Sequence, residues 1–239
     1  MRVLAPLIAF CVFAPGQEPP KAHFHHIHLN ATDPAAAIQF YTGKFDCEKG
    51  RFAGEIDAVR TQDISDLAGR PPGSFFFAYV DGPDHALIEL NTASHHRFGH
   101  VHLLSEDPVA AGEWYKKHFG LTGYIGRQPR VYRGVHVEPL ASLVMDNVNI
   151  IIFPVEYARD ATPDLWKDRK TFESTKGRVV DHLAFGVEDP RETLARLQDD
   201  GAKVTEEVAN TGAGKIRSAF IQGPDRIRIE LVEGQAYKE

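Results

Sequence analysis

Three stretches of this chain repeat one frame, and that repetition limits the fold more than any other feature. The first runs His25-His26-Ile27-His28-Leu29-Asn30-Ala31-Thr32-Asp33-Pro34, the second Gly99-His100-Val101-His102-Leu103-Leu104-Ser105-Glu106-Asp107-Pro108. The third runs Asp181-His182-Leu183-Ala184-Phe185-Gly186-Val187-Glu188-Asp189-Pro190. In each, a strand-like run ends in Asp-Pro, where Asp can cap a helix whose first residue is Pro. Apolar residues three or four apart then mark one buried helix face: Ile38, Tyr41 and Phe45 over 35–45, Trp114, Tyr115 and Phe119 over 109–119, Leu194 and Leu197 over 191–200. Gly120 and Gly201 end the second and third helices.

Every unit closes on a hairpin. Strand-like runs 74–80 and 86–90 flank Asp81-Gly82-Pro83-Asp84, runs 141–145 and 148–153 flank Asp146-Asn147, and runs 216–222 and 227–232 flank Gly223-Pro224-Asp225. A unit therefore reads β, α, then two or three strands. The predicted organisation is a first unit over 24–93 and two further units over 99–234 that pair with each other, because sequential units usually neighbour one another. The first unit is expected to be irregular: 60–73, with Pro71-Pro72-Gly73, reads as loop where another strand belongs. Linkers are read over 93–98 and 156–178, the second broken by Pro163.

Residues 1–20 stand apart. One Arg, an apolar run over 3–14 and the small residues Ala14 and Gly16 have the order of a secretory signal peptide cut before Gln17, and the run is too short to span a membrane. The expectation is export to a periplasm or the exterior, with no membrane attachment once that peptide is removed. Cys47 would then be the one remaining thiol, so no internal disulfide can form. A formal charge of −6 leaves no overall basic field for nucleic acid.

The residue in excess is His, with 12 copies. His26, His100 and His182 each stand eight residues before the proline of their Asp-Pro pair, so equivalent strands present equivalent imidazoles. The closing strands supply partners: Glu89 follows Asp84, and Glu230 follows Asp225, by the same five residues, whereas that count from Asp146 reaches Ile151. A carboxylate flanked by Ile229 and Leu231 needs a cation or a proton to be stable in an apolar strand. Two imidazoles and one carboxylate suit Fe(II) or Mn(II), with Zn or Ni as alternatives, and leave positions open for substrate. His28 and His102, two residues along, share a face with His26 and His100. His136 and Tyr132 are candidate acid/base groups.

The run 179–190 around His182, with the closing Gly223-Pro224-Asp225-Arg226-Ile227-Arg228-Ile229-Glu230-Leu231, resembles the vicinal oxygen chelate superfamily of glyoxalase I, extradiol dioxygenases and bleomycin-resistance proteins. The resemblance implies an α+β fold of repeated βαβββ units forming cupped mixed sheets, with a divalent metal in the cup held by first-strand His and last-strand Glu. Pairing the second and third units would offer His100, His182 and Glu230, a dioxygenase-like set. Pairing the first with the third would offer His26, Glu89, His182 and Glu230, the glyoxalase-like set. The extradiol pattern expects Tyr and an acidic residue before the closing Glu, where this chain has Phe220 and Gly223, although Tyr79 holds that place in the first unit. A metal-dependent dioxygenase or lyase acting on a small substrate chelated through neighbouring oxygens is the expectation. The alternatives are a metal-free small-ligand-binding protein and a first unit that docks on a second copy to make a homodimer.

Overall fold

A computed structural model describes residues 22–52, 56–60, 77–91, 98–211 and 216–234. The signal-peptide reading, Cys11, most of the 60–73 loop and the His95-His96-Arg97 cluster lie outside the described residues.

Two stretches fold into separate sheets of the same strand order. The second unit is β1 (His100–Ser105), α1 (Pro108–Phe119), β2 (Thr122–Tyr132), β3 (Val135–Met145) and β4 (Val148–Pro154), with strand order β1-β4-β3-β2. The third is β5 (Val180–Val187), α2 (Pro190–Asp199), β6 (Lys203–Thr211), β7 (Ile216–Gln222) and β8 (Arg228–Glu233), with strand order β5-β8-β7-β6. In both, first and last strands run parallel and the remaining neighbours antiparallel. The Asp-Pro pairs cap as their chemistry dictates: Asp107 Oδ1 accepts from Ala110 N–H at 2.9 Å and Asp189 Oδ1 from Arg191 N–H at 2.7 Å. Gly120 stops α1 at φ 73°, a left-handed conformation that glycine adopts without steric cost. Two short helices, α3 (Val155–Ala161) and α4 (Pro163–Trp166), occupy the start of the 156–178 linker.

The first unit is irregular. Its strand β9 (His23–Leu29), helix α5 (Pro34–Lys44), hairpin β10 (Glu48–Phe52) and β11 (Ile56–Arg60), and hairpin β12 (Phe77–Asp81) and β13 (Leu87–Asn91) do not join into one sheet among the described residues. Instead β9 adds antiparallel to the edge of β5, with His28 opposite His182 and His26 opposite Ala184. The two units over 99–234 are neighbours in space as well as in sequence. The second and third units adjoin through their helix-covered faces, not along strand edges. Phe119 of α1 meets Phe185 of β5 at 4.6 Å between ring centroids, and Arg196 of α2 donates to the carbonyl of His118 at 3.0 Å. Tyr115, Phe119, Leu143, Ile150, Phe185, Leu197, Ile221 and Leu231 fill one shared core. Aromatic burial on this scale joins the helix of one unit to the sheet of the next. Asp146, at the tip of the β3–β4 hairpin, ties the first unit in as well: it accepts from Phe24 N–H at 2.8 Å and contacts His23 Nδ1 at 2.9 Å.

Among the described residues no helix is long and apolar enough to cross a membrane.

Candidate metal centre

Alternation along β5 sends Leu183 and Phe185 toward the helices and His182 and Ala184 to the opposite face. On that face the register builds a row across three strands, with His26 on β9 opposite Ala184 and Ala184 opposite Glu230 on β8. Ala184 has no side chain beyond Cβ, so His26 and Glu230 can lean toward each other above it. Glu230 Oε2 lies 3.4 Å from His26 Nε2 and 3.2 Å from His182 Nε2. Ligands at right angles on a metal with ~2.1 Å bonds stand ~3 Å apart, so this spacing fits a transition metal. His28 stacks on His182 with centroids 4.7 Å apart, and one ring nitrogen from each of His26, His28 and His182 falls within 4.8 Å of the others.

The tautomers are set from behind. His182 Nδ1 is 2.7 Å from Asp181 Oδ1 and must carry the proton, which leaves the Nε2 lone pair facing Glu230. That Nε2 is buried and makes no hydrogen bond among the described residues. His26 Nδ1 is 2.8 Å from His25 Nδ1, so His26 can donate there and turn its own Nε2 lone pair to the same point. Burial opposes charge on Asp181, yet bonds from Gly177 N–H, His182 and Arg228 more than offset this and hold its carboxyl well below the usual range. Burial, reinforced by neighbouring imidazoles, pushes His26 well below the ordinary histidine value, and burial lowers His28 too. Neutral imidazoles and an anchored proton on the far nitrogen are the forms that ligate metal.

Burial also lowers His25 from 6.5 to about 4, against the opposing pull of Glu230. The folded value lies below the unfolded one, so its stabilising contribution is complete above pH 6.5 and is lost as pH falls toward 4. Metal-free protein should therefore show a urea midpoint that declines across that window. A midpoint unchanged from pH 6.5 to 4 would contradict the assignment of a buried neutral His25.

A second group lies elsewhere. Glu89 on β13 reaches His100 Nε2 at 3.3 Å and His102 Nε2 at 3.7 Å, both on β1 of the second unit. Burial works against the Glu89 charge, but hydrogen bonds from His100 and Tyr79 and the charges of both imidazoles prevail and bring its carboxyl to about 2. The rings of His100 and His102 stack at 4.7 Å, and Phe153 and Tyr157 line the far side.

Comparison with known proteins fits this architecture. The family model described as "Glyoxalase/Bleomycin resistance protein/Dioxygenase superfamily" matches residues 23–231. The chain belongs to that superfamily. Among curated proteins of the glyoxalase superfamily, a probable lactoylglutathione lyase of Synechocystis is 35% identical over 63 residues, covering 26% of this chain and 48% of that protein. The lactoylglutathione lyase of Salmonella typhimurium is 32% identical over 59 residues, covering 25% and 44%. The chain thus spans about half the length of the curated relatives it matches. The crystal structure of glyoxalase I from Zea mays superposes with a TM-score of 0.60 at 15% identity, covering 89% of this chain and 92% of that one, a likeness of fold.

Within this glyoxalase-superfamily fold the five expected ligands divide into two groups. His26, His182 and Glu230 come together, while His100 and Glu89 meet each other and His102. Neither expected set, His100-His182-Glu230 nor His26-Glu89-His182-Glu230, is assembled whole. The cause is the split first unit, whose strand β9 joins the third unit while its hairpin sits on the second. The acid/base candidates stand apart from both groups. His136 binds Asp160 through its ring at 2.7 Å and its N–H at 2.9 Å, and Tyr132 is exposed beside Arg133. Sequence reasoning missed His25 and Asp181 as supports for the imidazoles of His26 and His182. The signal was present: the residue before the equivalent histidine is His25, Gly99 or Asp181, so two of three units carry a polar side chain there.

Proposed function

We propose that the protein is a divalent-metal-dependent enzyme acting on a small substrate bound through two neighbouring oxygens, with lyase or isomerase chemistry of the lactoylglutathione lyase kind. His26, His182 and Glu230 hold the metal in this reading. The observation that carries it is the buried, unbonded His182 Nε2, oriented by Asp181 and aimed at Glu230. A metal there supplies Lewis acidity that lowers the pKa of a bound hydroxyl and stabilises developing negative charge.

The chain's own residues do the rest. Arg228 lies over the Phe220 ring, 3.6 Å from its centroid, and binds both Asp181 and Glu206, so it fixes the wall beside His182 and keeps Asp181 ionised. His28 is neutral near pH 7 because burial lowers it, and its ring lies beside His182, so it is the group placed to take a proton from bound substrate. Phe220 holds the position where a ring-cleaving dioxygenase of this superfamily would carry Tyr, which favours lyase chemistry.

The test is metal analysis of the full chain purified without chelator or a histidine tag, followed by turnover of lactoylglutathione and of catechols with O₂. Bound metal and lactoylglutathione turnover are expected, with removal of the metal lowering the rate at least ~1000-fold and its return restoring it. Catechol cleavage with O₂ uptake would replace the lyase assignment. Protein that binds neither Fe(II), Mn(II), Zn(II) nor Ni(II) would replace enzyme by metal-free ligand binder.

A further inference from the structure

The group at Glu89 is not part of the site just described, and its composition differs. Two imidazoles two residues apart on one strand face a carboxylate delivered by another unit. The second unit cannot supply that carboxylate itself. Opposite His100 and His102 its closing strand carries Asn149 and Ile151. We propose that Glu89, His100 and His102 bind a second divalent cation, and that this cation fastens the hairpin 77–91 to β1.

The geometry argues for it. The Nε2 atoms of His100 and His102 stand 3.3 and 3.7 Å from the two Glu89 carboxylate oxygens, with the rings stacked at 4.7 Å between centroids. One cation can take a donor atom from each of the three groups. The three donor atoms lie within 4.8 Å of one another, and the side chains of Glu89 and His100 are only 10% and 8% exposed. Nitrogen donors in this number suit Zn(II), Co(II) or Ni(II) rather than Ca(II) or Mg(II).

The fold argues for it as well. Strands β12 and β13 pair only with each other among the described residues, and an isolated two-stranded hairpin is marginal in water. Its tip is held by Asp84, which accepts from Thr32 N–H at 3.2 Å and Oγ1 at 2.6 Å. A cation at Glu89 would anchor the other face and convert binding energy into order of the hairpin. Gly99 precedes His100, so no preceding side chain orients this imidazole as Asp181 orients His182, in keeping with a structural role.

The experiment uses the full chain with the first site disabled by His182→Ala and Glu230→Gln, titrated with Co(II) and read by its visible absorption. One equivalent is expected to bind. Glu89→Gln, and separately His102→Asn, should each weaken that binding by more than ~100-fold, beyond the loss typical of outer-shell changes. Hydrogen exchange gives a second readout: Co(II) should slow exchange across 77–91 in the disabled chain and fail to do so after either substitution. The near-isosteric Glu89→Gln and the partly exposed His102→Asn guard against a variant that does not fold. No binding to the disabled chain, or binding that both substitutions leave intact, overturns the proposal.

Discussion

Replacing His182 by Ala should remove the metal from the centre formed with His26 and Glu230 and abolish turnover. The imidazole is one of the three proposed donors, and among the described residues its Nε2 has no hydrogen-bond partner. Losing a direct ligand should cost more than the ~10–100-fold in affinity that loss of an orienting partner costs, and the rate should fall at least ~1000-fold. Asp181 and Arg228 remain paired when the ring is gone, and the buried Glu230 keeps His26 at 3.4 Å, so the fold should persist. The measurement is metal content per chain, together with the denaturation midpoint. Asp181→Asn makes the graded comparison: the ligand stays, its orientation is weakened, and affinity should drop by ~10–100-fold. A His182→Ala protein that keeps its full metal content and rate would remove this centre from the chemistry altogether.

Phe185→Ala should be the costliest change in the core. The ring is fully buried and touches Phe119 at 4.6 Å and Tyr115 at 6.4 Å, joining the helix of one unit to the sheet of the next. Deleting such a side chain removes its transfer free energy and leaves a cavity, about 3–5 kcal/mol together. For a chain of this size that corresponds to roughly 10 °C in melting temperature. Ile221→Val, equally buried but losing one methyl group, should cost only about 0.5–1.5 kcal/mol. Equilibrium denaturation of the two variants checks the pair. A Phe185→Ala cost below that of Ile221→Val would mean that the helix layers do not carry the join between units.

Local chemistry made much of this fold readable. Asp-Pro pairs announced helix starts, Gly120 a helix end and the hairpin turns their strands, because each depends on residues adjacent in sequence. Periodicity along strands likewise placed His26, His182 and Glu230 on sheet faces where they could meet. The partner of each edge was harder to read. Sequential units do adjoin here, through Phe119 and Phe185, a contact that no local pattern reports. The division of Glu89 from Glu230 follows from the split first unit. The short hairpin β10–β11 escaped notice since Glu48-Lys49-Gly50-Arg51-Phe52 is too polar to alternate in the usual way. Asp181 and His25 were hidden by being neighbours of the ligands, where a support cannot be told from a solvated residue until the rings are oriented.

The antiparallel pairing of β9 with β5 also fixes the order in which the centre can come into being. His26 leaves the ribosome early, His182 about 150 residues later and Glu230 later still, so at 5–20 residues per second the first imidazole waits roughly 10–40 s for its companions. Until then β9 is a loose segment rich in histidine, and the edge of β5 does not yet exist. In the proposed reading, metal loading at this centre would therefore be an event of the finished chain, set by the pairing of β9 with β5 and not by the folding of any single unit.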